Sequence, residues 1–137
     1  MILVDTGPLV ALFDPADGSH ARCIRVLRAV DEPLATTIPV LTEAFHLLMP
    51  GSTGAQRLMD FISESGLTVW PFDDELLSRC FELMIQYADR PIDLADASLV
   101  ALAEAERLNR IFTIDRNDFA TYRIKRGHRH YQFEVVG

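Results

Sequence analysis

The chain has little of what would assign it to several common protein classes. Its 137 residues include two cysteines. Cys23 and Cys80 lie far apart in helix-like contexts, with no CxxC motif and no nearby Cys/His partner. That excludes a disulfide framework and a thiolate zinc site, so both read as reduced packing residues. No segment approaches the roughly 18 consecutive apolar residues of a membrane span. The opening run MILVDTGPLVALF carries no basic leader and is interrupted by Asp5, which argues against a signal peptide. The expectation is a cytoplasmic protein with no membrane partner. Positive charge is also short: 13 Lys and Arg stand against 20 Asp and Glu, for a formal net charge of −7. Such a chain does not coat nucleic acid through bulk electrostatics. It can still act on nucleic acid, because an acidic cluster that binds cations reverses the local field.

Low-complexity tracts, internal repeats and long linkers are absent as well. What is present is a 49% hydrophobic composition, ample for the core of one compact domain spanning residues 1–137. Short apolar runs alternate with helical periods, the pattern of an α/β fold. Strands are expected at Ile2–Val4, Leu34–Thr37, Leu67–Pro71, Ile111–Ile114 and within Tyr131–Val135. Helices are expected after Pro8, at Ser19–Val30, Pro39–Leu48, Thr53–Ser65, Asp74–Tyr87 and Leu94–Leu108, with a short helical turn after Asp115. Ser19, Thr53, Asp73 or Asp74, and Asp93 are candidate N-caps, and Pro39 suits a first helical turn. The strands preceding helices are short and apolar, as in a parallel sheet covered on both faces. Ligands of such sheets collect beyond the carboxyl ends of the strands, and Asp5 and Asp115 follow the runs ILV and IFTI at that edge.

The stretch DLADASLVALAE, Asp93 to Glu104, places Asp96 in line with Leu99, Val100 and Ala103 at i+3, i+4 and i+7. The acid therefore shares the face expected to pack inward, where an uncompensated carboxylate is costly. Asp93 fits an N-cap, with metal binding or support of a ligand as the alternative. Glu43, three residues after Val40 and four before Leu47, has the same inward problem, and a salt bridge to an arginine is its structural alternative. Asp5 could cap a helix or form an Asx-turn with Thr6. In TIDRNDF, Asp115 is favoured over Asp118 as a ligand. Carboxylates about 5 Å apart at an effective dielectric near 20 repel by roughly 3 kcal/mol per pair. A divalent cation removes the conflict, and an all-oxygen donor set suits Mg²⁺ or Mn²⁺ better than zinc.

Taken in order, VDTGPLVALF, the helical Glu43, the segment beginning at Asp96 and TIDRNDF resemble the PIN-domain family of ribonucleases, with the greatest similarity to the VapC-type toxins of toxin–antitoxin modules. The resemblance implies a three-layer α/β/α fold around a mainly parallel sheet. It implies Asp5, Glu43, Asp96 and Asp115 as catalytic, metal-holding acids, with Thr6 and Thr113 as polar neighbours lining the site. Asp93 and Asp118 are additional acids beside that set. The implied activity is Mg²⁺- or Mn²⁺-dependent hydrolysis of RNA phosphodiester bonds. The implied partners are an RNA substrate, a cognate antitoxin and a second copy in a homodimer.

Two further features bear on partners. The closing stretch TYRIKRGHRH offers Arg123, Lys125, Arg126 and Arg129 as RNA-phosphate contacts, against the alternative of a charged edge strand. His128 and His130 belong with that basic stretch rather than with a metal pair. Phe119, Tyr122, Tyr131 and Phe133 could stack bases, with core packing the alternative. The apolar side chains of EAFHLLMPG and QRLMDFI could line a groove for an amphipathic partner segment or simply fill the core. The competing functions are a PIN-fold nuclease for RNA processing or structured DNA, and a catalytically weak binding module.

Overall fold

The computed structural model describes residues 1–137. Strand β1 (Ile2–Val4) is wholly buried, and its three apolar side chains leave no polar face. That suits the central strand of a sheet covered on both sides. It leads into α1 (Thr6–Phe13), then α2 (His20–Ala29) and β2 (Leu34–Thr36). Helices α3 (Ile38–Leu48) and α4 (Thr53–Ser63) precede the two-residue β3 (Thr68–Val69). Helices α5 (Asp74–Gln86) and α6 (Leu94–Glu106) carry the chain to β4 (Arg110–Phe112), on the other side of β1. The chain closes with α7 (Arg116–Thr121), β5 (Arg123–Arg126), β6 (Arg129–Gln132) and β7 (Glu134–Val136).

The main sheet runs β3-β2-β1-β4-β7, and every pairing in it is parallel. The chain leaves β1 toward β2 on one side and returns to β4 on the other, so the crevice at the carboxyl ends of β1 and β4 is a topological switch point. This is the expected α/β/α arrangement with its mainly parallel sheet.

Local chemistry sets most helix starts. Asp5 accepts from the Thr6 amide at 2.8 Å, Asp73 from the Leu76 amide at 2.9 Å and Asp93 from the Asp96 amide at 2.8 Å. Each satisfies a donor left free in a first turn. The cap of α4 is Ser52 rather than Thr53, through its hydroxyl and the Ala55 amide. Ser19 occupies the N-cap position of α2 without a capping bond.

Helix α6 departs from the amphipathic expectation: Ala95 and every residue from Ala97 to Ala103 are buried. A helix apolar on all sides belongs in the middle of a packed structure. Its alanines let α5, α3 and β5 close on it. Asp96 is the polar interruption near its start.

The closing segment also differs from a single last strand. β5 and β6 form a separate antiparallel hairpin, joined through a turn with Gly127 at φ +62°. Glycine tolerates that left-handed backbone at no steric cost. β7 then adds to β4 in parallel register. Each hairpin strand carries too few apolar residues for alternation to reveal it, as RIKR and RHYQ show.

Candidate functional site

Helix starts and strand ends converge on one open cleft of about 670 Å³ at the carboxyl edge of the sheet. Seven of its lining side chains are carboxylic acids: Asp5, Asp17, Glu43, Asp93, Asp96, Asp115 and Asp118. No lysine, arginine or histidine lines it. All the acids expected from the sequence are brought together here. Asp17 joins them from the turn before α2, accompanied by Ser19. Only the Asp-Gly-Ser turn signal could have pointed to that segment, and it says nothing about where the turn lies in space.

Asp5, the N-cap of α1, is the most enclosed of these acids. The Thr113 hydroxyl donates to its Oδ2 at 2.8 Å and the Thr6 amide to its Oδ1. The same Thr113 oxygen accepts from the Asp115 amide at 3.0 Å, which couples the ends of β1 and β4 through one hydroxyl. Burial pushes the Asp5 carboxyl up to about 6 despite these two hydrogen bonds, with Glu43 and Asp93 adding repulsion. The Thr6 hydroxyl is buried beside it with no hydrogen-bond partner in the protein. Such an orphaned oxygen at a cleft wall is suited to a bound water or ion.

Asp96 is pushed up to about 8, first by burial, then by Asp5 and Asp93. The Tyr122 phenol donates to its Oδ2 at 2.9 Å and partly offsets the shift. Tyr122 is therefore a packing residue with a task at the cleft. It stands edge-on to Tyr87 and Phe119, while Phe119 meets Phe133 in the same way. Core packing accounts for Phe119, Tyr122 and Phe133, leaving Tyr131 exposed under the Arg126 guanidinium.

Asp115 caps α7 through the Asp118 amide at 3.3 Å. The Asp118 carboxyl is raised by its hydrogen bond with the Asp115 carboxyl. Arg90, from the loop before α6, donates to Asp118 Oδ1 at 3.2 Å and to the Thr121 hydroxyl at 2.8 Å. Glu43 has no salt bridge of the kind its structural alternative required. It looks into the cleft beside Leu47, which is 56% exposed rather than packed inward.

The basic residues of the closing stretch lie on the hairpin. Arg123, Lys125, Arg126 and Arg129 do not line the cleft. Arg123 donates to the carbonyls of Ala120, Thr121 and Tyr122 at the end of α7. The Lys125 amide bonds Glu104, and Arg126 bonds the Leu108 carbonyl. Glu104 is eight residues beyond Asp96, about 12 Å along the helix at 1.5 Å per residue. The hairpin thus runs away from the acids, because it follows α6 toward its carboxyl end. His128 sits in the turn and His130 on a strand, so they do not alternate on one face.

The acids form an all-oxygen set of the type hard divalent cations select. No three of them are already drawn into a closed ion cage. Their mutual repulsion is of the kind a divalent counter-charge would relieve.

An acid-lined cleft at the switch point of a parallel sheet defines the class: an α/β protein that concentrates carboxylates where ligands bind. The chain belongs to the PIN-domain family, whose model matches residues 2–125. It is 26% identical over 125 residues to Ribonuclease VapC26 of Mycobacterium tuberculosis, covering 89% of this chain and 92% of that protein. The fold is shared with VapC20 of the same species, a Sarcin-Ricin loop cleaving toxin, at a TM-score of 0.78 and 20% identity, covering 85% and 92% of the two chains. A toxin–antitoxin complex from Klebsiella pneumoniae aligns at a TM-score of 0.66 and 22% identity, covering 88% and 92%.

Proposed function

We propose that residues 1–137 form a single nuclease domain that hydrolyses RNA phosphodiester bonds with Mg²⁺ or Mn²⁺, as the toxin of a type II toxin–antitoxin pair. The observation that carries this reading is the cleft itself, seven acids among which the buried Asp5 carboxyl is raised to about 6 and the half-buried Asp96 carboxyl to about 8. In this reading Asp5, Glu43, Asp96 and Asp115 hold the ion and are the catalytic acids. Asp93 and Asp118 would support them, and the Thr6 hydroxyl, which has no protein partner, adds a polar oxygen beside Asp5. The chemistry that a divalent ion would supply there is activation of water near neutral pH and counter-charge for the phosphate.

The rest of the work falls to the chain. Thr113 fixes the carboxyl of Asp5 relative to the backbone of Asp115. Tyr122 holds one oxygen of Asp96, leaving the other for the cleft. Lys125 and Arg129, both exposed on the hairpin, are left for phosphates well beyond the cleft.

The toxin assignment draws support from the VapC-type relatives and from the toxin–antitoxin complex among the structural neighbours. A cognate antitoxin would find apolar side chains at Leu47, Met49 and Met59, which α3 and α4 and the turn between them leave exposed. Phe81 and Ile85 on α5 are further exposed apolar residues, suited to a homodimer contact. No helix is long and apolar enough to cross a membrane.

The test is cleavage of a mixed RNA panel by purified protein in Mg²⁺ or Mn²⁺, beside EDTA and an equally pure Asp96→Asn variant. Cuts that require metal and vanish in the variant are expected. Equal cleavage by both proteins would mean a contaminating ribonuclease, and no cleavage by folded wild type with metal would remove the enzyme assignment.

A further inference from the structure

We infer that Arg90 grips a substrate phosphate at the lip of the cleft, a reading that rests on the RNA-hydrolysing function proposed above. An RNA strand approaching seven carboxylates needs a fixed positive charge as well as an ion, because phosphate contacts dominate the affinity of nucleic-acid complexes. The other arginines with defined partners are engaged elsewhere. Arg79 holds Glu104 on α6, Arg110 pairs with Glu32 and Glu134, and Arg22 and Arg116 both reach the Gly137 carbonyl. Arg123 and Arg126 are engaged with backbone carbonyls.

Arg90 alone forms a salt bridge with an acid that lines the cleft. Its side chain is 54% exposed, so its solvent side is open to a ligand. Two of its five N–H donors are committed, one to the Thr121 hydroxyl and one to Asp118 Oδ1. The remaining donors have no protein partner and keep the planar fork that matches phosphate oxygens. Thr121 and Asp118 hold the side chain in place before substrate arrives, which reduces the ordering cost of binding. Its loop enters α6 through Asp93, three residues later, so a gripped phosphate lies next to the acids.

A tether between the loop and α7 would use the same two hydrogen bonds without touching RNA, and the experiment separates the two roles. Binding of a single-stranded RNA oligonucleotide to Asp96→Asn is compared with binding to the same protein carrying Arg90→Ala or Arg90→Lys, across a range of salt. The alanine change is expected to weaken binding roughly tenfold, as for loss of a charged hydrogen bond. It should also make the dependence of log affinity on log salt shallower by about 0.7, the value for one phosphate on a single strand. Lysine should restore the slope and only part of the affinity. In the otherwise wild-type protein, Arg90→Ala should raise KM about tenfold with kcat little changed. An unchanged salt slope, or a loss of affinity that only follows a lowered Tm, overturns the inference. Absence of any RNA binding by Asp96→Asn overturns the function as well, whereas binding indifferent to Arg90 overturns this inference alone.

Discussion

Replacing Asp96 with asparagine should make the metal-free protein more stable while abolishing its proposed activity. The carboxyl is raised from 3.8 to about 8 by burial and by its acidic neighbours. Between those values the folded state binds a proton that the unfolded state releases, so stability falls as pH rises through that window. At pH 7, about three units above the ordinary value, the carboxyl is still largely protonated in the fold, a deficit of about 4 kcal/mol at roughly 1.36 kcal/mol per unit. Local relaxation and solvent screening around a partly exposed group reduce this to about 2 kcal/mol. Asparagine carries no charge, can accept the Tyr122 hydrogen bond and can donate to a neighbouring carboxylate.

In EDTA the variant's Tm should therefore exceed the wild type's by about 6 °C at pH 7 for a domain of this length. The advantage should shrink toward zero at about pH 3 and below, under the ordinary value of 3.8, where the carboxyl is mostly protonated folded or unfolded. Thermal melts across pH provide the assay, and added Mg²⁺ should narrow the gap by stabilising wild type more than the variant. A variant no more stable than wild type at pH 7, or equally favoured at about pH 3 and pH 8, would refute the electrostatic reasoning.

Three other perturbations test the supporting structure. Thr113→Val removes a donor to Asp5 and an acceptor for the Asp115 amide; it should cost about 1–3 kcal/mol and move the Asp5 titration above its value of about 6, shifting the acid limb of the pH–rate profile upward. Tyr122→Phe removes the phenol that partly offsets the Asp96 shift, so a given cleavage rate should require higher pH or more Mg²⁺, with a stability cost of about 1 kcal/mol read by urea unfolding. Arg79→Ala leaves the largely buried Glu104 without its guanidinium; about 2 kcal/mol of stability should be lost while KM for RNA stays constant, since the pair lies toward the far end of α6 from the acids.

The two families of observation differ in reach. β1, α3, α5 and the start of α6 were legible in the sequence because apolar period and capping act over three or four residues. Asp93 illustrates this, since it caps the amide three positions ahead of it. The acids at strand ends were legible for a related reason, because a strand followed by a helix defines a sheet's carboxyl edge. The hairpin was not, since β5 and β6 each bury little.

Which side chains meet in the cleft depended on the tertiary structure. Thr113 reaches Asp5 across 108 residues, Arg90 reaches Asp118 across 28 and Tyr122 reaches Asp96 across 26. The sequence alone determined an α/β chain with unusual acids on apolar elements. Only packing decided that Asp17 joins them, that Arg90 stands at their edge, and that the basic hairpin points the other way. Local pattern reports the dihedral and burial preferences of neighbouring residues, whereas the cleft is made by sheet order and helix packing, which join segments distant along the chain.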